Sequence, residues 1–133
     1  MKQIDHIGIA VKDLEKSNAL FSTLLNRVPF LHEKVDAMKL SVSFFKLGDT
    51  KIELLEPLAS DSPISKFLEK KGEGIHHVAL LVDDIHAEMN RLRKEGFQPL
   101  TEHPYIGANN KLVCFFHPKD TNGVLIELCQ PIA

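Results

Sequence analysis

Tryptophan is absent, tyrosine occurs once and cysteine only twice in 133 residues. Both cysteines, Cys114 and Cys129, sit in apolar runs. That excludes a disulfide framework and predicts buried free thiols in a reducing compartment. Long apolar runs are missing too. No segment approaches the roughly 20 apolar residues of a membrane span. The opening MKQIDHIGIAVKDLEK is interrupted by polar residues too often to serve as a secretory leader. Nor is one sign of charge in excess: 16 Lys and Arg face 18 Asp and Glu, for a net charge of −2. No basic run exceeds two residues, which argues against a nucleic-acid footprint. What remains is one ordinary cytoplasmic domain, 44% hydrophobic and 26% charged. It is long enough to bury roughly two-thirds of its unfolded surface without a structural metal. Composition leaves only the seven histidines unexplained.

An internal repeat organises the chain. Residues 4–14 read IDHIGIAVKDL and residues 75–85 read IHHVALLVDDI. Placing His6 on His77 aligns Ile4 with Ile75, Val11 with Val82 and Asp13 with Asp84. Downstream, KIELLEP at 51–57 and LIELCQP at 125–131 align Glu53 with Glu127. Each half opens on an apolar strand carrying a His and closes on one carrying a Glu. Asp13 is placed to cap a helix with an apolar stripe of Leu14, Phe21, Leu24 and Leu25. Asp84 does the same for a helix with Ile85, Met89 and Leu92, ended by Gly96. Further strands are predicted at 40–47 and 51–56, and at 111–117 and 123–130, with weaker ones near 32–36 and 97–101. The order is βαβββ, twice. Modules of about 1–57 and 74–133 are expected to share one core. Their connector, 58–73, holds Ser62-Pro63, the start of a short helix.

Strand alternation assigns faces. Ile7, Ile9 and Val11 share one face, and His6, Gly8 and Ala10 the other. In the repeat, Val78, Leu80 and Val82 oppose His77, Ala79 and Leu81. The β-branched and leucine-rich faces suit helix packing, so both histidines point away from the helices, with Gly8 or Ala79 leaving room beside them. Glu53 and Glu127 each lie between apolar neighbours. An ionised Glu inside an apolar strand is costly unless paired or bound to a cation. Exposed glutamates and satisfied core histidines would explain any one of these residues, but not four in register. One divalent cation reconciles them: two imidazoles and two carboxylates suit Zn, Co, Ni, Mn or Fe and leave positions open. Of the remaining histidines, His76 reads as structural, His32, His86 and His103 as solvated. His117 could approach the site from a strand end.

At these residues the chain resembles the vicinal oxygen chelate superfamily, and within it the methylmalonyl-CoA epimerase family. The segments that carry the likeness are IDHIGIAVKDLEKS, TKIELLEPL, DSPISKFLEKKGEGIHHVALLVDDI and IGANNKLVCFFHPKDTNGVLIEL. The resemblance implies an α+β fold of two βαβββ modules in a curved mixed sheet, a half-barrel around a metal with helices outside. It implies metal ligands at His6, Glu53, His77 and Glu127, for one ion of Co, Mn, Ni or Zn. It also implies a coenzyme A thioester partner and a homodimer, without nucleic-acid or membrane partners. The implied reaction is epimerisation of a 2-methylmalonyl thioester through a metal-stabilised enolate, with Glu127, and secondarily Glu53, as the catalytic carboxylates. Some relatives place a further glutamate base on the strand matching 40–47. Here that strand reads LSVSFFKL and holds no carboxylate. A glyoxalase I-type lyase shares the His, Glu, His, Glu order. A superfamily oxygenase would need only three ligands, and a metal-free sequestering protein none.

Overall fold

Each half of the chain starts its helix with the same local device. The computed structural model describes residues 1–133, and in it Asp13 and Asp84 are both extended N-cap residues. Asp13 Oδ1 accepts from the Lys16 N–H and Asp84 Oδ1 from the Ala87 N–H, each at 3.1 Å. The helices that follow are α1 (Leu14–Leu25) and α3 (Ile85–Lys94). A second oxygen reaches each helix from the last strand of its own half. Glu56 Oε2 accepts from the Leu14 N–H at 2.9 Å, and Gln130 Oε1 from the Ile85 N–H at 2.8 Å. Glu56 and Gln130 are repeat equivalents, each three residues beyond the Glu of its strand. The pattern thus ties helix start to sheet twice over, relieving amide groups that a helix leaves without internal partners.

The strands are β1 (Gln3–Ala10), β2 (Leu31–Val35), β3 (Leu40–Leu47), β4 (Thr50–Pro57), β5 (Gly74–Leu81), β6 (Tyr105–Gly107), β7 (Lys111–Phe116) and β8 (Ile126–Pro131). Helix α2 (Pro63–Lys71) fills the connector, with Ser62 as its cap and Pro63 in its first turn. None of the helices is long and apolar enough to cross a membrane. The chain divides into two compact units: His6–His76, and Met1–Asp5 with His77–Ala133.

In the first unit the strand order is β2-β3-β4-β1. β1 runs parallel to β4, and the other pairs are antiparallel. Ile9 and Val11 pack with Leu14, Phe21, Leu25, Phe45, Ile52 and Leu54 beneath α1. The expected stripe is corrected at Leu24, which is 70% exposed. Consecutive helical residues lie about 100° apart, so Leu25 and Leu24 cannot both face the sheet. The helix ends at Asn26, whose left-handed conformation (φ 53°) turns the chain so that the Arg27 N–H reaches the Ser22 carbonyl at 3.1 Å.

The second unit has the order β5-β8-β7-β6, again with one parallel pair, β5 with β8. Val82, Ile85, Met89, Cys114, Phe116 and Leu128 form the core under α3. Residues 97–101 do not form the expected strand. They hold only an isolated bridge, Pro99 to Phe116, and the third position of the βαβββ order is taken by β6 at Tyr105–Gly107. Pro99 has no N–H to extend a ladder. β6 instead pairs closely with β7, where Gly107 lies so near Val113 that a Cβ would meet both Cγ atoms at 3.0 Å.

Candidate metal centre

The faces assigned from alternation hold in both units. In the first, the register sets Glu53 opposite Gly8 on one side and Phe44 on the other. Ile52 and Leu54 turn to α1, and Glu53 turns away from it. His6 lies on that same far side, and its Nδ1 sits 3.0 Å from Glu53 Oε2. Both residues are 4% exposed.

The second unit repeats this arrangement. Glu127 stands opposite Ala79 and Phe115, the repeat equivalents of Gly8 and Phe44. His77 Nε2 lies 3.1 Å from Glu127 Oε1, and both residues are again buried. The Phe115 ring meets the His77 imidazole edge-on at 5.4 Å. Each pair therefore offers a ring nitrogen and a carboxylate oxygen within hydrogen-bond range, out of water, on a sheet face clear of its helix. Burying a carboxylate this deeply demands a cationic or hydrogen-bonding partner. An imidazole supplies one, and it is also a common ligand for borderline divalent metals. The donor set fits such a cation.

Other histidines fall out of the site. His76 stacks edge-on with Phe67 of α2 at 5.0 Å, a packing role. His86 and His103 are exposed. His32 lies on β2 rather than in a loop, its Nε2 2.9 Å from Ser41 Oγ. His117 caps the short 3₁₀ turn at Pro118–Asp120, its Nδ1 accepting from the Lys119 N–H at 3.2 Å.

Three features escaped the sequence reading. Lys111 and Asp5, 106 residues apart, form an ion pair at 2.8 Å with both side chains buried. Tyr105 packs against the Ala79, Val113 and Cys129 cluster, on the Glu127 side of the sheet. Burial, aided by the Glu127 charge, pushes its phenol up to about 12. Finally, Glu33 on β2 is paired in register with Val42. That puts a carboxylate on the same side as Phe44 and Glu53. The signal was present: Leu31, Glu33 and Val35 alternate as apolar, acid, apolar. The two thiols remain free and buried. Burial raises both above the usual cysteine range, Asp5 and Glu127 adding to the shift at Cys129.

Comparison with known proteins gives this arrangement a context. The model of the Glyoxalase/Bleomycin resistance protein/Dioxygenase superfamily matches residues 5–115. The mitochondrial methylmalonyl-CoA epimerase of Homo sapiens is 44% identical over 129 residues, covering 96% of this chain and 73% of its own. The ethylmalonyl-CoA/methylmalonyl-CoA epimerase of Cereibacter sphaeroides is 43% identical over 130 residues, covering 96% of this chain and 97% of its own. A methylmalonyl-CoA epimerase variant from Streptomyces coelicolor, solved with 2-nitronate-propionyl-CoA, matches with a TM-score of 0.96 at 33% identity. That match covers 100% of this chain and 96% of the solved one.

Proposed function

Because the chain belongs to the Glyoxalase/Bleomycin resistance protein/Dioxygenase superfamily, we propose that it is an isomerase that interconverts (R)- and (S)-methylmalonyl-CoA by moving the α-proton. The observation that carries this reading is the pair of buried His–Glu couples, His6 with Glu53 and His77 with Glu127, recurring in register. Supporting it, relatives named as epimerases match 96% of the chain at 43–44% identity. A glyoxalase-type lyase shares the ligand order, but no relative compared above carries that activity in its name.

The four residues are proposed to hold one divalent cation of the Co, Mn, Ni or Zn kind. When bound, that cation acts as a Lewis acid on substrate oxygens, an effect worth several kcal/mol where negative charge develops. The chain's residues do the rest. His6 and His77 would each offer the cation a ring nitrogen, and Glu53 and Glu127 a carboxylate oxygen. Glu127 combines a ligand position with a basic oxygen, and takes the α-proton as the C–H electron pair moves toward the thioester carbonyl. Glu53 is the second metal-edge carboxylate, with ligation as its main task. Buried Phe44 beside Glu53 and half-buried Phe115 beside Glu127 limit the access of water to their oxygens.

The protein is further proposed to work in the cytoplasm as a single-domain homodimer. Two free buried thiols suit a reducing compartment. Exposed Leu20, Leu24 and Val28 provide apolar surface for association.

Proton NMR of methylmalonyl-CoA in deuterated water tests the central reading. Loss of the α-proton signal on adding the protein, with appearance of the other epimer, is the expected result. An unchanged signal with metal-loaded protein would refute it.

A further inference from the structure

Epimerisation needs two proton positions, because the proton that leaves one face of the α-carbon is replaced on the other. Glu127 accounts for one. The strand that faces the site in the first unit, β3, has no carboxylate: its residues beside Glu53 are Val42 and Phe44, both fully buried. The next strand does. Glu33 of β2 pairs across from Val42, while Phe44 pairs with both Leu31 and Glu53. Residues paired directly across adjacent strands share a face, so Glu33 and Glu53 belong to one side. The alternate residues confirm the assignment: Phe45 lies in the core under α1, and His32 bonds to Ser41 on that other side.

We propose that Glu33 is the second proton-transfer residue of the reaction, a catalytic carboxylate delivered by β2 in place of one on β3. The inference rests on the epimerase reading and extends it. Two strand spacings and a two-residue offset separate the Cα atoms of Glu33 and Glu53 by about 12 Å. Both side chains rise from that one face, so an acyl group held at Glu53 lies on Glu33's side of the sheet. The floor between them is Val42 and Phe44, which offer no competing proton acceptor. Glu33 is half-buried, unlike the buried Glu53, so it can exchange its proton with solvent between turnovers. In one direction its carboxylate takes the α-proton while the C–H pair enters the enolate. In the other, its protonated form returns a proton to the enolate carbon, and no further reactant is required.

The two roles separate cleanly in deuterated water. Glu33→Gln removes one base and leaves the other, so one epimer of methylmalonyl-CoA should still exchange its α-proton and return with retained configuration. Epimerisation should fall by about 10²–10⁴-fold, the usual worth of a positioned acid–base group. Exchange of the one epimer should stay within about tenfold of wild type, and Glu33→Asp should recover part of the epimerisation. A merely structural residue would lower both rates together. Coupled losses in Glu33→Gln, or no loss in either rate, would overturn the assignment. Metal content and circular dichroism of each variant show whether it is folded and loaded. Should Glu33→Gln not fold, coupled losses in folded Glu33→Asp would overturn it equally. If the wild-type protein itself exchanges no α-proton, the epimerase reading fails and this inference falls with it; coupled losses beside an active wild type remove this inference alone.

Discussion

Glu53 and Glu127 look alike in burial and pairing, but the functional reading assigns them different work. Gln keeps a coordinating oxygen while losing nearly all basicity, so it separates ligation from proton transfer. Glu53→Gln should retain metal and a measurable part of the epimerase rate. Glu127→Gln should keep some metal and lose epimerisation, with the two variants at least an order of magnitude apart per bound metal. Equal rates per metal would remove Glu127 as the distinguishing base. For the ligand role itself, His6→Ala and His77→Ala should each strip metal and leave the far-ultraviolet circular dichroism largely unchanged. Metal retained without both imidazoles would mean that the ligands lie elsewhere. Tyr105 offers a purely optical test, being the only tyrosine in a chain without tryptophan. Its phenol is held neutral up to about 12, chiefly by burial and then by the Glu127 charge. Tyrosinate absorbance should therefore appear only well above pH 10, where an exposed tyrosine titrates. A folded-state pKa above the unfolded value means a stability contribution intact below pH 10 and lost as pH climbs through about 12. An inflection near 10 in the folded protein would place the ring in water.

The secondary-structure elements were readable wherever their signal is local. Both aspartate caps, the Ser62-Pro63 start of α2 and the central strands follow from residue type and spacing within a few positions. Asp84→Ala should cost about 1 kcal/mol of stability, the usual worth of an N-cap. It should do so without altering the metal content, since Gln130 still holds the Ile85 N–H. Denaturant unfolding would measure it, and a cost near zero would mean that Gln130 alone secures the helix start. The elements misjudged from sequence were those without such a signal. β6 is three residues long, and its pairing with β7 decides it rather than its own composition. Leu24 and Leu25 are equally apolar, and only the rotation of α1 against its strands tells which is buried.

For the whole chain, the buried Asp5–Lys111 pair makes the largest stability prediction. Met1–Asp5 belong to the same unit as residues 77–133, and Lys2 N–H donates to the Leu81 carbonyl at 2.9 Å. Lys111→Met removes the ammonium from a carboxylate that stays buried, a change that costs about 3–5 kcal/mol. Adding Asp5→Asn should restore much of that loss, because the uncompensated charge goes with it. A double variant no more stable than Lys111→Met would show that the pair contributes by packing rather than by charge. What sequence alone established was everything repeated or periodic: two βαβββ halves, their helix caps, the strand faces, and a His and a Glu in register on the side away from each helix. These follow from alternation and capping, which act over a few residues and leave their mark in the chain. Glu33 beside Val42, Lys111 against Asp5, Tyr105 on the Glu127 side and the position of β6 came only with the tertiary structure. Each depends on which strand lies beside which and in what register, and no single segment carries that information. It arises when distant segments satisfy one another's hydrogen bonds and bury one another's apolar faces.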